Sequence, residues 1–249
     1  MPLRLSPFRA LLATLAAAQL AYPRVSADRQ PQATAAVVGL MLACSAAETA
    51  QARGASRALK LLGSAGAVGF GAELVGTATG RPFGHYRYGE RLGRRFRGVP
   101  LAAAAAWAMM ARPAWAVGGL LASGRSSRIA ASSAALCAWD FFLDPRMVRD
   151  GYWEWRDGGR YEGVPASNYV GWFLTGLVLF SVWTVLDREP EQPGSSDGAL
   201  GLYLWTWLAE TLANAVVWRR PKVALAGGSA MGALAIPALL ARLRLVPGE

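Results

Sequence analysis

Asp140 and Asp144 stand four residues apart at the end of an apolar run, in Ala138-Trp139-Asp140-Phe141-Phe142-Leu143-Asp144-Pro145. On a helix the two carboxyls would share one face, one turn apart. Carboxylates are unfavourable near hydrocarbon, so an acid inside such a run is by default a candidate functional group. The aromatic tract Gly151-Tyr152-Trp153-Glu154-Trp155 follows closely. A third acid, Glu73, lies near the end of another apolar run, and Tyr86-Arg87-Tyr88 comes after it. Proton-bearing side chains set among aromatic rings and apolar surface suit acid chemistry on a lipid-soluble molecule.

The elements that must position these groups read as membrane helices. Of the 249 residues, 53% are hydrophobic and only 17% are charged. A soluble domain usually carries about 25% charged residues. A span needs about 20 apolar residues, and eight candidates occur: 8–22, 33–50, 58–78, 99–122, 126–143, 169–186, 199–218 and 223–243. The expected fold is all-α, a polytopic transmembrane helical bundle of about seven or eight spans. Residues 1–249 read as a single integral-membrane domain, with 187–198 a flexible loop between spans. The expected location is the cell membrane, crossed several times. Val25-Ser26-Ala27 offers a competing reading of the first span as a cleaved signal peptide. Arg112-Pro113 falls inside the fourth candidate. That leaves either one kinked helix with a buried arginine or a shorter span plus an interfacial helix.

The net charge of +10 sits mostly between apolar runs, which fits the positive-inside pattern and not a nucleic-acid surface. With eight spans, loops 23–32, 79–98, 144–168 and 219–222 share one side. That side carries 15 Arg and Lys against 10 on the other, which would make it cytoplasmic. Two of these loops follow one order of events: an acid, an aromatic tract, then Gly98-Val99-Pro100 or Gly163-Val164-Pro165 opening a new span. The pattern suggests a parallel internal repeat, which would place a site at the interface of its halves. Coincidence between two Gly/Pro-rich loops is the competing explanation.

The motifs around these acids resemble the CruF-type carotenoid biosynthesis proteins of bacteria and archaea. The likeness rests on Glu73, Gly76-Thr77, Thr79-Gly80, Pro82-Phe83-Gly84, Tyr86 and Tyr88. It continues through Trp139-Asp140, Leu143-Asp144-Pro145, Met147-Val148, Gly151-Tyr152-Trp153 and Trp155. Tyr161, Gly163-Val164-Pro165, Asn168-Tyr169, Gly171-Trp172 and Thr175-Gly176 complete it. It covers about residues 35–220 and is strongest over 70–176. The resemblance implies a hydratase that adds water to the terminal C=C of an acyclic carotenoid end group, leaving a tertiary alcohol. Lycopene-like, monocyclic and C50 precursors are all substrates within that family.

Hydrating an unactivated alkene needs a strong, positioned acid, and burial can keep a carboxyl protonated. Tyr and Trp faces can stabilise the resulting tertiary cation. No cofactor or metal is expected, and the single histidine, His85, cannot build a histidine-rich metal site. The catalytic candidates are Asp140 as proton donor, Asp144 to orient it or bind water, and Glu73 as the rival donor. Tyr86, Tyr88, Trp139 and Tyr152 are candidate substrate contacts, as are Trp153, Trp155, Asn168 and Trp172. Each has a structural alternative: Asp144 ending a helix beside Arg146 or Arg149, Asp140 paired with Arg112, Glu73 bonded to Thr77, the aromatics forming an interfacial belt. Expected partners are a carotenoid substrate, membrane lipid and other membrane enzymes of the pathway. Competing functions are a cofactor-free end-group cyclase, or a non-catalytic carotenoid- or quinone-binding membrane protein.

Overall fold

A computed structural model describes residues 6–189 and 194–245. Within them the chain forms eight α-helices: α1 Pro7–Ala21, α2 Gln30–Arg53, α3 Ala55–Thr79, α4 Leu101–Leu121, α5 Arg125–Arg149, α6 Ala166–Leu186, α7 Asp197–Leu212 and α8 Pro221–Arg244. All eight expected apolar runs are therefore helical, and the fold is an all-α bundle. Of these helices, α2, α3, α6 and α8 are long and apolar enough to cross a membrane. Arg4 and residues 190–193 of the expected 187–198 loop lie outside the described residues. The remainder of that loop is tied down at Asp187, which receives Arg53 at 2.5 Å.

At the centre α3 packs on α4 and α6, and α5 on α4 and α6. The outer helices α2, α7 and α8 lean on α4, and α8 also on α5. Two prolines lie inside the central helices, where each lacks the N–H that would bond the carbonyl four residues earlier. Both vacated carbonyls are taken by hydroxyls from elsewhere. Ser45 donates to the Met109 carbonyl at 2.6 Å, serving Pro113. Tyr161 donates to the Phe141 carbonyl at 2.9 Å, serving Pro145. Burial pushes the Tyr161 hydroxyl up to about 12, so it remains a donor.

The structure decides one choice the sequence left open and departs from it at one helix end. Residues 101–121 are one continuous helix, and its buried Arg112 pairs with Glu48 at 2.8 Å, not with Asp140. The fifth helix does not stop at Leu143; it runs through Pro145 to Arg149. Asp144 is thus a buried residue inside a helix, not a helix end.

The 80–100 and 150–165 segments carry short strands that the sequence pattern did not reveal. They are β1 Tyr86–Tyr88, β2 Arg95–Phe96, β3 Val99–Pro100 and β4 Trp153–Trp155. The two long loops are joined by β1 pairing antiparallel with β4, in the register Tyr86↔Trp155, Arg87↔Glu154, Tyr88↔Trp153. Arg91 reaches the Ala27 carbonyl, and Arg220 donates to Glu162 at 3.1 Å. Loops 23–32, 79–98, 144–168 and 219–222 consequently meet at one end of the bundle.

The internal repeat is visible in matched backbone and matched packing. α3 and α5 each have 25 residues, and α4 and α6 each have 21. Arg97-Gly98 and Glu162-Gly163 hold φ of 48° and 85°, and of 51° and 84°. Each pair closes a tight turn, joining Phe96 to Val99 and Tyr161 to Val164. Two successive left-handed residues define the turn type that suits a hairpin. A proline then starts the next helix in both halves. Trp107 is the seventh residue after Pro100 and Trp172 the seventh after Pro165. These two indoles stack on each other, centroids 4.0 Å apart. Trp115 and Phe180, matched in the same way, stack at 5.4 Å. Equivalent residues touching one another mark an approximate two-fold axis between α4 and α6.

Candidate active site

Where α2, α3, α4, α5 and α6 meet the β1–β4 ribbon, they enclose a cavity of about 70 Å³. Its walls are mostly Ala, Leu, Val, Met and aromatic carbon. Side chains alternate across a strand, so residues two apart share a face. Tyr86 and Tyr88 on β1, with Trp153 and Trp155 on β4, therefore all face the cavity. Their rings pack pairwise, Tyr86 on Trp155 at 5.8 Å and Tyr88 on Trp153 at 5.7 Å. The alternate residues Arg87 and Glu154 pair on the outer face, 82% and 58% exposed. The ribbon is an aromatic roof with a charged, wet upper surface.

Glu73 is buried in the α3 wall. Its carboxyl accepts from the Tyr86 hydroxyl, from the Tyr88 hydroxyl at 2.7 Å and from the Trp107 indole N–H at 3.1 Å. Burial and the neighbouring Glu73 carboxyl raise both tyrosine hydroxyls, which keeps them donors. Close helix packing makes this possible: a Cβ on Gly69 would stand 2.0 Å from the Trp107 ring. Glycine at that position lets Trp107 reach across to Glu73.

Asp144 also faces the cavity, from α5. The Trp153 indole donates to its Oδ1 at 3.1 Å. The Asn168 amide nitrogen donates to Asp144 Oδ2 and, at 2.7 Å, to Asp140 Oδ2. One amide thus bridges both aspartates. Asp140 is wholly buried one turn behind Asp144, and its Oδ1 has no hydrogen-bond partner among the described residues. None of the ion pairs found among the described residues involves Glu73, Asp140 or Asp144. Arg146, the nearest cation in sequence, covers the rings of Tyr22 and Trp218 instead.

The cavity wall therefore collects Glu73, Asp144, Tyr86, Tyr88, Trp153, Trp155, Asn168 and Trp172. Three other sequence candidates stand behind it. Asp140 joins through Asn168. Trp139 packs edge-on against Trp172 at 5.9 Å. Tyr152 turns away under Arg91 and bonds Thr34 at 2.8 Å. Trp107 and Thr34 line the cavity without having been singled out. The repeat carried a signal for Trp107, its place after Pro100 matching that of Trp172. Thr34 had none, because a threonine at the start of an apolar run is unremarkable in sequence.

The family model for carotenoid biosynthesis proteins matches residues 8–241. The chain belongs to the carotenoid biosynthesis protein family. Within that family context, it is similar to the bisanhydrobacterioruberin hydratase of Haloarcula japonica, 34% identical over 114 residues. The match spans 44% of this chain and 39% of that protein. The aligned part is thus well under half of the relative's length. No solved structure matches the chain. Family membership fits a cavity of this composition: carotenoids are long hydrocarbons, and the walls here are hydrocarbon apart from Thr34 and one cluster of acids and their donors.

Proposed function

We propose that the protein is a carotenoid hydratase of the cell membrane, adding water to the terminal C=C of an acyclic carotenoid end group. The observation that carries this reading is Asp144, a carboxyl on the wall of an apolar, ring-lined cavity with no ion-pair partner among the described residues. Two carboxylates sharing one amide repel unless a proton sits between them. Asp144, on the wall, delivers that proton to the CH carbon of the terminal alkene. The π electrons form the new C–H bond and leave a tertiary cation on the neighbouring carbon. Trp153, Trp155 and Trp172 line the same cavity, and indole rings stabilise a neighbouring cation. Water attacks the cationic carbon through oxygen, forming the C–O bond, and the oxonium returns a proton to Asp144, which restores the acid. The sum is alkene plus water to tertiary alcohol, with no proton or electron left over.

Asp140 holds Asn168 from behind and so fixes the amide that orients Asp144. The cavity is small. It suits the tip of a polyene, the remainder of which lies among lipid and helices. A C40 polyene is about as long as the ~30 Å hydrocarbon core, so its tip reaches the level of the ribbon.

Expression in a host that accumulates lycopene tests the reading. Pigment heavier by one water supports it. An isomer of unchanged mass points to an end-group cyclase, and unaltered pigment to carotenoid binding without catalysis.

A further inference from the structure

Behind the α2 side of the cavity lies a group of hydroxyls that the acid cluster does not use. Thr34, in the first turns of α2, is 5% exposed and lines the cavity. Its Oγ1 lies 2.7 Å from the Tyr22 hydroxyl and 2.8 Å from that of Tyr152. Both tyrosines are buried, and each ring is covered by a guanidinium: Arg146 over Tyr22 at 4.4 Å, Arg91 over Tyr152 at 5.1 Å. The other polar groups of the wall are engaged with one another, Tyr86, Tyr88 and Trp107 on Glu73, and Trp153 and Asn168 on Asp144. Thr34 is the one hydroxyl-bearing residue that α2 contributes to the wall, and with two tyrosine partners its Oγ1 keeps capacity for one more hydrogen bond.

We infer that Thr34 binds the water that captures the cation, with Tyr22 and Tyr152 fixing the direction of its hydroxyl. This rests on the hydratase reading above. A cation between aromatic rings is short-lived and can also decay by losing a proton. Hydration then requires a water already in place, held by a group that is not itself the acid. A threonine hydroxyl braced by two tyrosines keeps a lone pair or its hydrogen pointed at one position. Its seat beside the loop-bearing end of the bundle puts it where water enters.

The test separates protonation from capture. Membranes carrying the protein are incubated with lycopene in D2O, and both hydrated product and deuterium in recovered lycopene are measured. Protonation followed by proton loss replaces C–H by C–D in the recovered alkene without any C–O bond. The variant Thr34→Val should lose hydration at least tenfold while deuterium still enters recovered lycopene. Thr34→Ser should restore hydration. Tyr152→Phe, which keeps the ring, should lower hydration and also retain exchange, and it serves if Thr34→Val does not fold. Wild-type hydration by Thr34→Val, or by Tyr152→Phe in its place, overturns the assignment. So does loss of exchange together with hydration in folded protein. If the wild type neither hydrates nor exchanges, the hydratase reading itself falls.

Discussion

Trp107 and Trp172 occupy the same place in the two halves of the bundle and stack on each other at 4.0 Å. One of them also donates to Glu73, so the seam between the halves runs into the acid cluster. Truncating a buried tryptophan to alanine removes about 3–5 kcal/mol. Trp107→Ala and Trp172→Ala should each lower the unfolding temperature in detergent strongly. The double variant should lose less than the sum, with a coupling of about 0.5–1.5 kcal/mol from the lost stack. Strict additivity would show that the indoles do not pack as described.

The two aspartates should respond differently to loss of the acid. Asp144→Asn removes the proton carrier at the cavity wall and should reduce hydration by about 10²–10⁴-fold. Asp140→Asn retains a carbonyl that can still accept from Asn168, so its loss should be smaller. Both proteins should elute like the wild type. Equal activity of Asp144→Asn and wild type in pigment extracts would remove Asp144 from the chemistry.

Glu73 accepts from three donors, and glutamine cannot match that. In Glu73→Gln one amide N–H2 would face groups that can only donate or must turn away. A mismatched buried bond costs about 1–3 kcal/mol. Thermal unfolding should record that loss, and hydration should fall as the ribbon tyrosines reorient. An unchanged unfolding temperature would contradict the three-donor arrangement.

Tyr161→Phe tests how α5 survives its proline. The change strips the donor from the Phe141 carbonyl and leaves the ring in place. It should destabilise the protein by about 1 kcal/mol, read as a lower unfolding temperature. It should also weaken hydration, because the turn that holds Asp144 is the one left unsupported.

Much of this architecture was legible in the residues. Apolar length alone placed every described helix, since a long hydrocarbon-like segment has few other stable forms in lipid. The acids stood out because charge is rare in such segments. The continuation of α5 past Pro145 was hidden, since the carbonyl it frees is satisfied by Tyr161, twenty residues on in the loop that follows the helix. The ribbon was hidden too: three-residue strands carry almost no periodic signal, and their pairing is a tertiary event. The Arg112–Glu48 pair joins α4 to α2, and nothing local favours Glu48 over Asp140 as the partner.

The paired turns at Arg97-Gly98 and Glu162-Gly163 carry a historical consequence. A non-glycine residue in the left-handed region is unfavourable by about 1–2 kcal/mol, and here it recurs at matched places in the two halves. Independent invention of the same awkward bend, followed by the same proline and a helix of the same length, is a poor explanation. Duplication of one ancestral helix-pair segment accounts for all three. Counted from the starts of the two 25-residue helices, Glu73 falls opposite Leu143, one residue before Asp144, and Asp140 falls opposite Phe70. The two copies thus carry one acid each at nearly the same depth, and Asp140 is the carboxyl for which the first half has no counterpart.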